Sequence, residues 1–214
     1  LTLTTGLFSS SNSNTRTIAF GTGNISCSGT GSAWTVLTTT NLTVTGTPVV
    51  NVTSAGSTPI TVSQGTLSEA SSISFNFTGG TYDLNFPSTA GSAKNINFTG
   101  YAGTWGMSTS SPTVYGNLTI STGMTVNAAS GTMTFGATSG TQQITTNGKT
   151  LDFPITFDGV GGTFRLQDAL TVGSTRTTTL TNGTLNLNDL TLTTGLFSSS
   201  NSNTRTIAFG TGNI

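Results

Sequence analysis

The chain has 214 residues, six Lys and Arg against six Asp and Glu, no His, one Cys and a formal net charge of zero. So little charge argues against nucleic acid, which needs a basic stripe to displace counterions, and against anionic membrane surfaces. Without His, and with one Cys, the common nucleophile and general-base pairs are missing, and no disulfide closes within the chain.

Thr (50), Ser (27), Asn (18) and Gly (28) dominate the sequence. Thr is β-branched and favours extended backbone, while Asn and Gly tolerate tight corners. Twelve Phe against five Pro separate this alphabet from that of a disordered chain. No apolar run reaches the 18 or more residues of a membrane-spanning helix, so membrane insertion of this segment is not expected.

In chain order, short apolar or alternating segments predict strands at 18–20, 42–44, 60–62, 73–77, 96–98, 118–120, 133–135, 155–157, 170–172, 190–192 and 207–209. Between them lie corner signals such as Gly21-Thr-Gly23, Gly79-Gly80, Gly159-Val-Gly-Gly162 and Asn182-Gly183. The strand starts are 13 to 24 residues apart and average about 19, a spacing suited to the coils of a solenoid. Asn76-Phe-Thr-Gly79 and Asn97-Phe-Thr-Gly100 echo each other at an offset of 21.

A stricter repeat lies above this one. Residues 190–214 are identical to residues 1–25, an offset of 189. Residues 1–189 are therefore read as one full period, and 190–214 as the start of the next, with no linker. The natural chain is expected to continue in both directions with the same unit. The expected fold is all-β, a parallel β-helix or β-solenoid of about 8–10 coils per period. Tandem β-sandwiches are the alternative, favoured by Asn-Gly hairpin signals at 147–148 and 182–183.

The stretch Asn182-Gly-Thr-Leu-Asn-Leu-Asn-Asp-Leu-Thr-Leu-Thr-Thr-Gly195 resembles the coils of haemagglutinin-type adhesins, autotransporter passengers and β-helical phage or viral fibres. The likeness is compositional and runs along nearly the whole chain. It implies a structural or adhesive fibre outside the cell or on a cell or virion surface, and carries no catalytic residue across. Expected partners are further copies of the same repeat, lateral neighbours in a bundle, and surface glycans.

Candidate sites are few. Tyr101, Trp105 and Tyr115 surround the Gly-rich stretch 100–106 and either stack on a sugar or cap the core. Of the six carboxylates, Asp152, Asp158, Asp168 and Asp189 are the candidates for a polysaccharide-cleaving, tailspike-like β-helix, the alternative function. Asp168 and Asp189, 21 residues apart, form a weak candidate for a bridging Ca²⁺. The expectation is a structural protein rather than an enzyme, with no cofactor. Seven Asn-x-Ser/Thr sequons match the number composition alone produces and identify no glycosylation site.

Overall fold

The computed structural model describes residues 1–54, 56, 58–211 and 214. All registered strand pairs among them are parallel, so the fold is a β-solenoid of about nine turns. Neither Asn-Gly pair makes a hairpin. Asn147 and Gly148 (φ 51° and 74°) turn a corner, and Gly183 (φ 81°) bends the strand Thr177–Asn186 between two faces.

Three ladders make the three faces. The first begins with Thr2–Thr5 and climbs through Asn24–Cys27, Val49–Val52, Ser74–Phe77, Ile96–Asn97, Leu118–Thr119 and Thr141–Thr145. It then takes residues 163–166 and 183–186 and ends on Arg205–Ala208. The second runs from Phe8–Ser9 through Ser32–Val36, Ile60–Gln64, Asp83–Asn85 and Thr104–Gly106 to Thr125–Val126. Thr150–Leu151, Leu170–Val172 and Leu192–Thr193 occupy the same place in the coil sequence above it. The third begins with Arg16–Ala19 and Leu42–Thr45, passes the single-turn 3-10 segment Glu69–Ser71, and continues as Ser92–Ala93, Thr113–Val114 and Met133–Phe135. Residues 155–157 and 177–180 and the strand Leu196–Ser198 complete it.

The coil is longer than the expected 19 residues. Along the first ladder successive partners are Leu3, Ile25, Val50, Phe75, Ile96, Leu118 and Ile144, steps of 22, 25, 25, 21, 22 and 26. Gln142, Phe164, Leu185 and Ile207 add steps of 22, 21 and 22. The apolar segments legible in the sequence sit on different faces. Ile96 to Leu118 is one whole coil, whereas Leu118 to Met133 moves from the first ladder to the third, a fraction of a coil. Averaging such steps underestimates the turn.

Alternation decides which side chains enter. Val50 and Val52, then Phe75 and Phe77, are fully buried, while Asn51 and Asn76 between them point outward and stack, Asn76 Nδ2 donating to Asn51 Oδ1 at 3.0 Å. Thr113, Thr134, Thr156 and Thr179 form a similar outer column on the third face. No coil encloses its own apolar stripe, so the coils above and below cover it.

Inside, aromatic rings form a column along the axis. Phe8 stacks on Trp34 (4.7 Å), and Phe77 stacks on Phe98 (4.9 Å), which meets Trp105 at 4.8 Å; Trp105 then meets Phe153 edge-on. Trp34 Nε1 donates to the buried Gln64 Oε1 at 2.9 Å, satisfying the one polar atom the ring brings inside.

At the corner 158–162 the backbone of one coil lies against the next. A Cβ on Gly159 or Gly162 would stand 1.9 or 2.0 Å from the carbonyl oxygen of Ala137, so only glycine lets the coils close to ladder distance there.

Candidate functional site

Two of the three rings read as either sugar contacts or core caps are in the core. Tyr101 and Trp105 are 0% exposed. Tyr101 Oη donates to the carbonyl of Tyr82 at 2.7 Å and lies 3.0 Å from that of Thr104, and Trp105 Nε1 donates to the carbonyl of Phe86 at 2.6 Å. The Gly-rich stretch between them forms a corner and short strand, so both rings turn inward and offer no face to a glycan. Burial pushes the Tyr101 hydroxyl far above the usual phenol range and that of Tyr82 to about 12, so both stay neutral; Tyr101 donates, whereas the buried Tyr82 Oη meets no partner among the described residues. Tyr115 is separate, half-buried on the outer third face. Burial first, and the Glu69 carboxylate second, raise its hydroxyl pKa.

The four aspartates also separate. Asp168 accepts from the Thr146 N–H (2.8 Å), the Thr146 hydroxyl (3.0 Å) and the Gly148 N–H (3.1 Å), all in the coil below. Asp189 instead accepts from the N–H (2.6 Å) and hydroxyl (3.1 Å) of Thr211 in the coil above, which hold its carboxyl below the ordinary value. Asp152 pairs with Arg176 Nε at 2.8 Å, and Asp158 accepts from Asn182 at 2.5 Å. Each carboxylate thus staples a corner to its neighbour and is engaged by hydrogen-bond donors. No group of three His, Cys, Asp or Glu converges among the described residues, and no helix is long and apolar enough to cross a membrane.

One strut had no sequence signal. Glu69, on the 3-10 segment, accepts from the N–H (3.1 Å) and hydroxyl (2.6 Å) of Thr138, 69 residues away, and lies 3.6 Å from Lys94 Nζ. Burial alone would raise the Glu69 pKa; the Thr138 donors and the Lys94 ammonium outweigh it and hold the carboxyl below its usual range. Nothing in a single sequence announces a pairing across 69 positions.

The duplicated segment carries its own surface loop. Arg16 gathers it: Nε donates to Ser10 Oγ and Nη1 to the Asn14 carbonyl, while Asn12 Oδ1 accepts the Asn14 N–H at 3.0 Å. The copy reproduces this with Arg205, Ser199, Asn203 and Asn201. Arg16 additionally reaches the Thr38 and Thr40 carbonyls of the next coil. The arginine therefore shapes its loop and ties it to the coil above.

The two ends are apolar and unlike. Beneath the first coil lies a concavity of about 520 Å³ lined by Leu1, Leu3, Phe8, Ile18, Phe20 and Ile25 among others. Leu3 is 51% exposed there, whereas its copy Leu192, resting on Leu170, is 0% exposed. Phe20 is 9% exposed under the following coil, whereas its copy Phe209, on the last coil, is 41% exposed. Each copy has cover on the side where the other has none. Cys27, the one thiol, is fully buried near the lower end, and burial raises its pKa to about 11.

Compared with protein-family models, curated proteins and solved structures, the chain matches none.

Proposed function

We propose that the protein is a structural segment of an extracellular fibre, stalk or adhesin assembled from tandem copies of the 189-residue unit. The observation that carries this reading is how the second copy begins: Leu192–Thr193, Leu196–Ser198 and Arg205–Ala208 continue all three faces of the first period with parallel backbone pairing and no linker. A rod that extends itself needs such continuity, because each coil relies on the next to bury its stripe. Near-absence of charge makes such a rod insensitive to salt and leaves nothing to repel its neighbours, which supports lateral bundling.

Electron microscopy of a chain carrying several consecutive periods tests the proposal. Unbroken filaments with an axial period of about 40 Å are expected, from a coil rise of about 4.8 Å. Globular beads joined by flexible links would refute it. So would release of oligosaccharides from a polysaccharide panel that is lost in Asp168→Asn.

A further inference from the structure

The period does not contain a whole number of coils. Counting along the first ladder, the ninth step above Thr2–Thr5 arrives at Arg205–Ala208. That segment is the copy of Arg16–Ala19, which in the first coil lies two faces beyond Thr2–Thr5. The 189-residue offset therefore spans nine coils less two faces, or eight and one third. The other ladders agree. The copy of Thr2–Thr5 lands on the second face, at Leu192–Thr193, and the copy of Phe8–Ser9 on the third, within Leu196–Ser198. Every duplicated segment has moved one face onward in the direction the chain winds.

We propose that successive periods join by seating the first coil of one on the last coil of another in this shifted register, so that identical surfaces recur on the three faces in turn. This rests on the reading of the chain as a segment of a repeating fibre, and commits the open lower end to one occupant, residues 163–186 of a preceding copy. The contacts follow from those the second copy makes. Leu3 stacks on Leu170, Phe8 on Thr178 and Ile18 on Leu185, as Leu192, Phe197 and Ile207 do here. The same stacking fills the concavity beneath Leu3, and the coil that follows in the next period covers Phe209 as it covers Phe20 in the first.

Each period turns its surface by about 120°, apart from the intrinsic twist of the solenoid, and advances it about 40 Å. The Arg16 loop shows the shift directly. It lies at the corner between the second and third ladders in the first coil, and its copy around Arg205 lies between the third and the first. A side chain returns to its starting face only after three periods, 25 coils, or about 120 Å. A partner that recognises one such loop meets it from three directions along the fibre.

Two measurements test this. In a Cys27→Ala background of the 214-residue chain, paired cysteines at registered outward positions of the first ladder are oxidised one pair at a time. They run from Thr4 with Ser26, through Asn97 with Thr119, to Asn186 with Ala208. Parallel neighbours lie within disulfide reach, so every pair along the ladder is expected to close, which places a copy of Arg16–Ala19 above Thr2–Thr5. A break in the series, with cysteines crossing to another ladder instead, overturns the one-face shift. In a six-period chain, gold attached through Ser13→Cys in every period is expected at three azimuths in cyclic order. Straight filaments with all labels along one line overturn the shift but leave the fibre reading intact, whereas absence of any filament overturns the fibre reading itself.

Discussion

Removing the Trp105 side chain separates a core residue from a ligand contact. The ring is fully enclosed between Phe98 and Phe153, and its Nε1 satisfies the Phe86 carbonyl. Trp105→Ala loses the burial and leaves a cavity, about 3 to 5 kcal/mol for a substitution of this kind. It also orphans a buried carbonyl, a cost of about 1 to 3 kcal/mol if no water replaces the donor. Trp105→Phe keeps most of the ring and loses only the donor, so about 1 to 3 kcal/mol is expected. With a urea m-value of about 3 kcal/mol/M, the alanine variant should lower the unfolding midpoint by about 1 to 3 M, and the phenylalanine variant by about 1 M or less. Circular dichroism follows the transition, and Trp34 serves as an independent fluorescent reporter. A Trp105→Ala chain that unfolds at the parent midpoint would refute the placement of the ring. Loss of binding to a glycan at unchanged stability would restore it as a surface contact.

The corner glycines separate backbone crowding from glycine content. Gly159→Ala drives a Cβ into the Ala137 carbonyl and should cost about 1 to 3 kcal/mol or more, while Gly106→Ala, whose Cβ would have no neighbour nearer than 3.8 Å, should be neutral or slightly stabilising, both read by urea titration. Glu69 has a depressed folded pKa, so its contribution is present above the unfolded carboxylate value and lost as pH falls through the folded one. Melting temperature scanned from pH 6 to pH 3 should therefore fall less steeply in Glu69→Gln than in the parent. Cys27, buried with its pKa near 11, should react with a thiol reagent at pH 8 only after urea unfolds the chain, and fast reaction in buffer would contradict its burial. Added Ca²⁺ or EDTA should leave the melting temperature unmoved, because Asp168 and Asp189 are engaged by different coils.

Much of this architecture was legible in the residues. The 21-residue echo of Asn76-Phe-Thr-Gly in Asn97-Phe-Thr-Gly is a true register pair, Asn76 beside Asn97. The alternation Leu185-Asn-Leu187 places both leucines inside and the asparagine out. Two things were not legible. Apolar segments on three faces look alike in one dimension, so their spacing blends whole coils with fractions of a coil. The direction of Tyr101 and Trp105 depends on whether their Gly-rich stretch bulges outward or closes tightly against the coil below, and composition is the same in both cases. The Glu69 strut was beyond reach for a different reason, since its partners meet only once the coils between them have stacked.

The ladders have a consequence for pulling. Their hydrogen bonds point along the axis of the rod, so tension applied at its ends loads the three faces of a rung together and the rungs one after another. Failure then starts at the weakest rung, and two-residue strands such as Ile96–Asn97 and Leu118–Thr119 offer the fewest bonds to share the force. Each coil that opens releases a length of about 75 to 80 Å of extended chain where about 5 Å stood before. A stretched solenoid of this design lengthens in discrete steps and absorbs work at each one, behaving as a shock absorber well before it behaves as a rope.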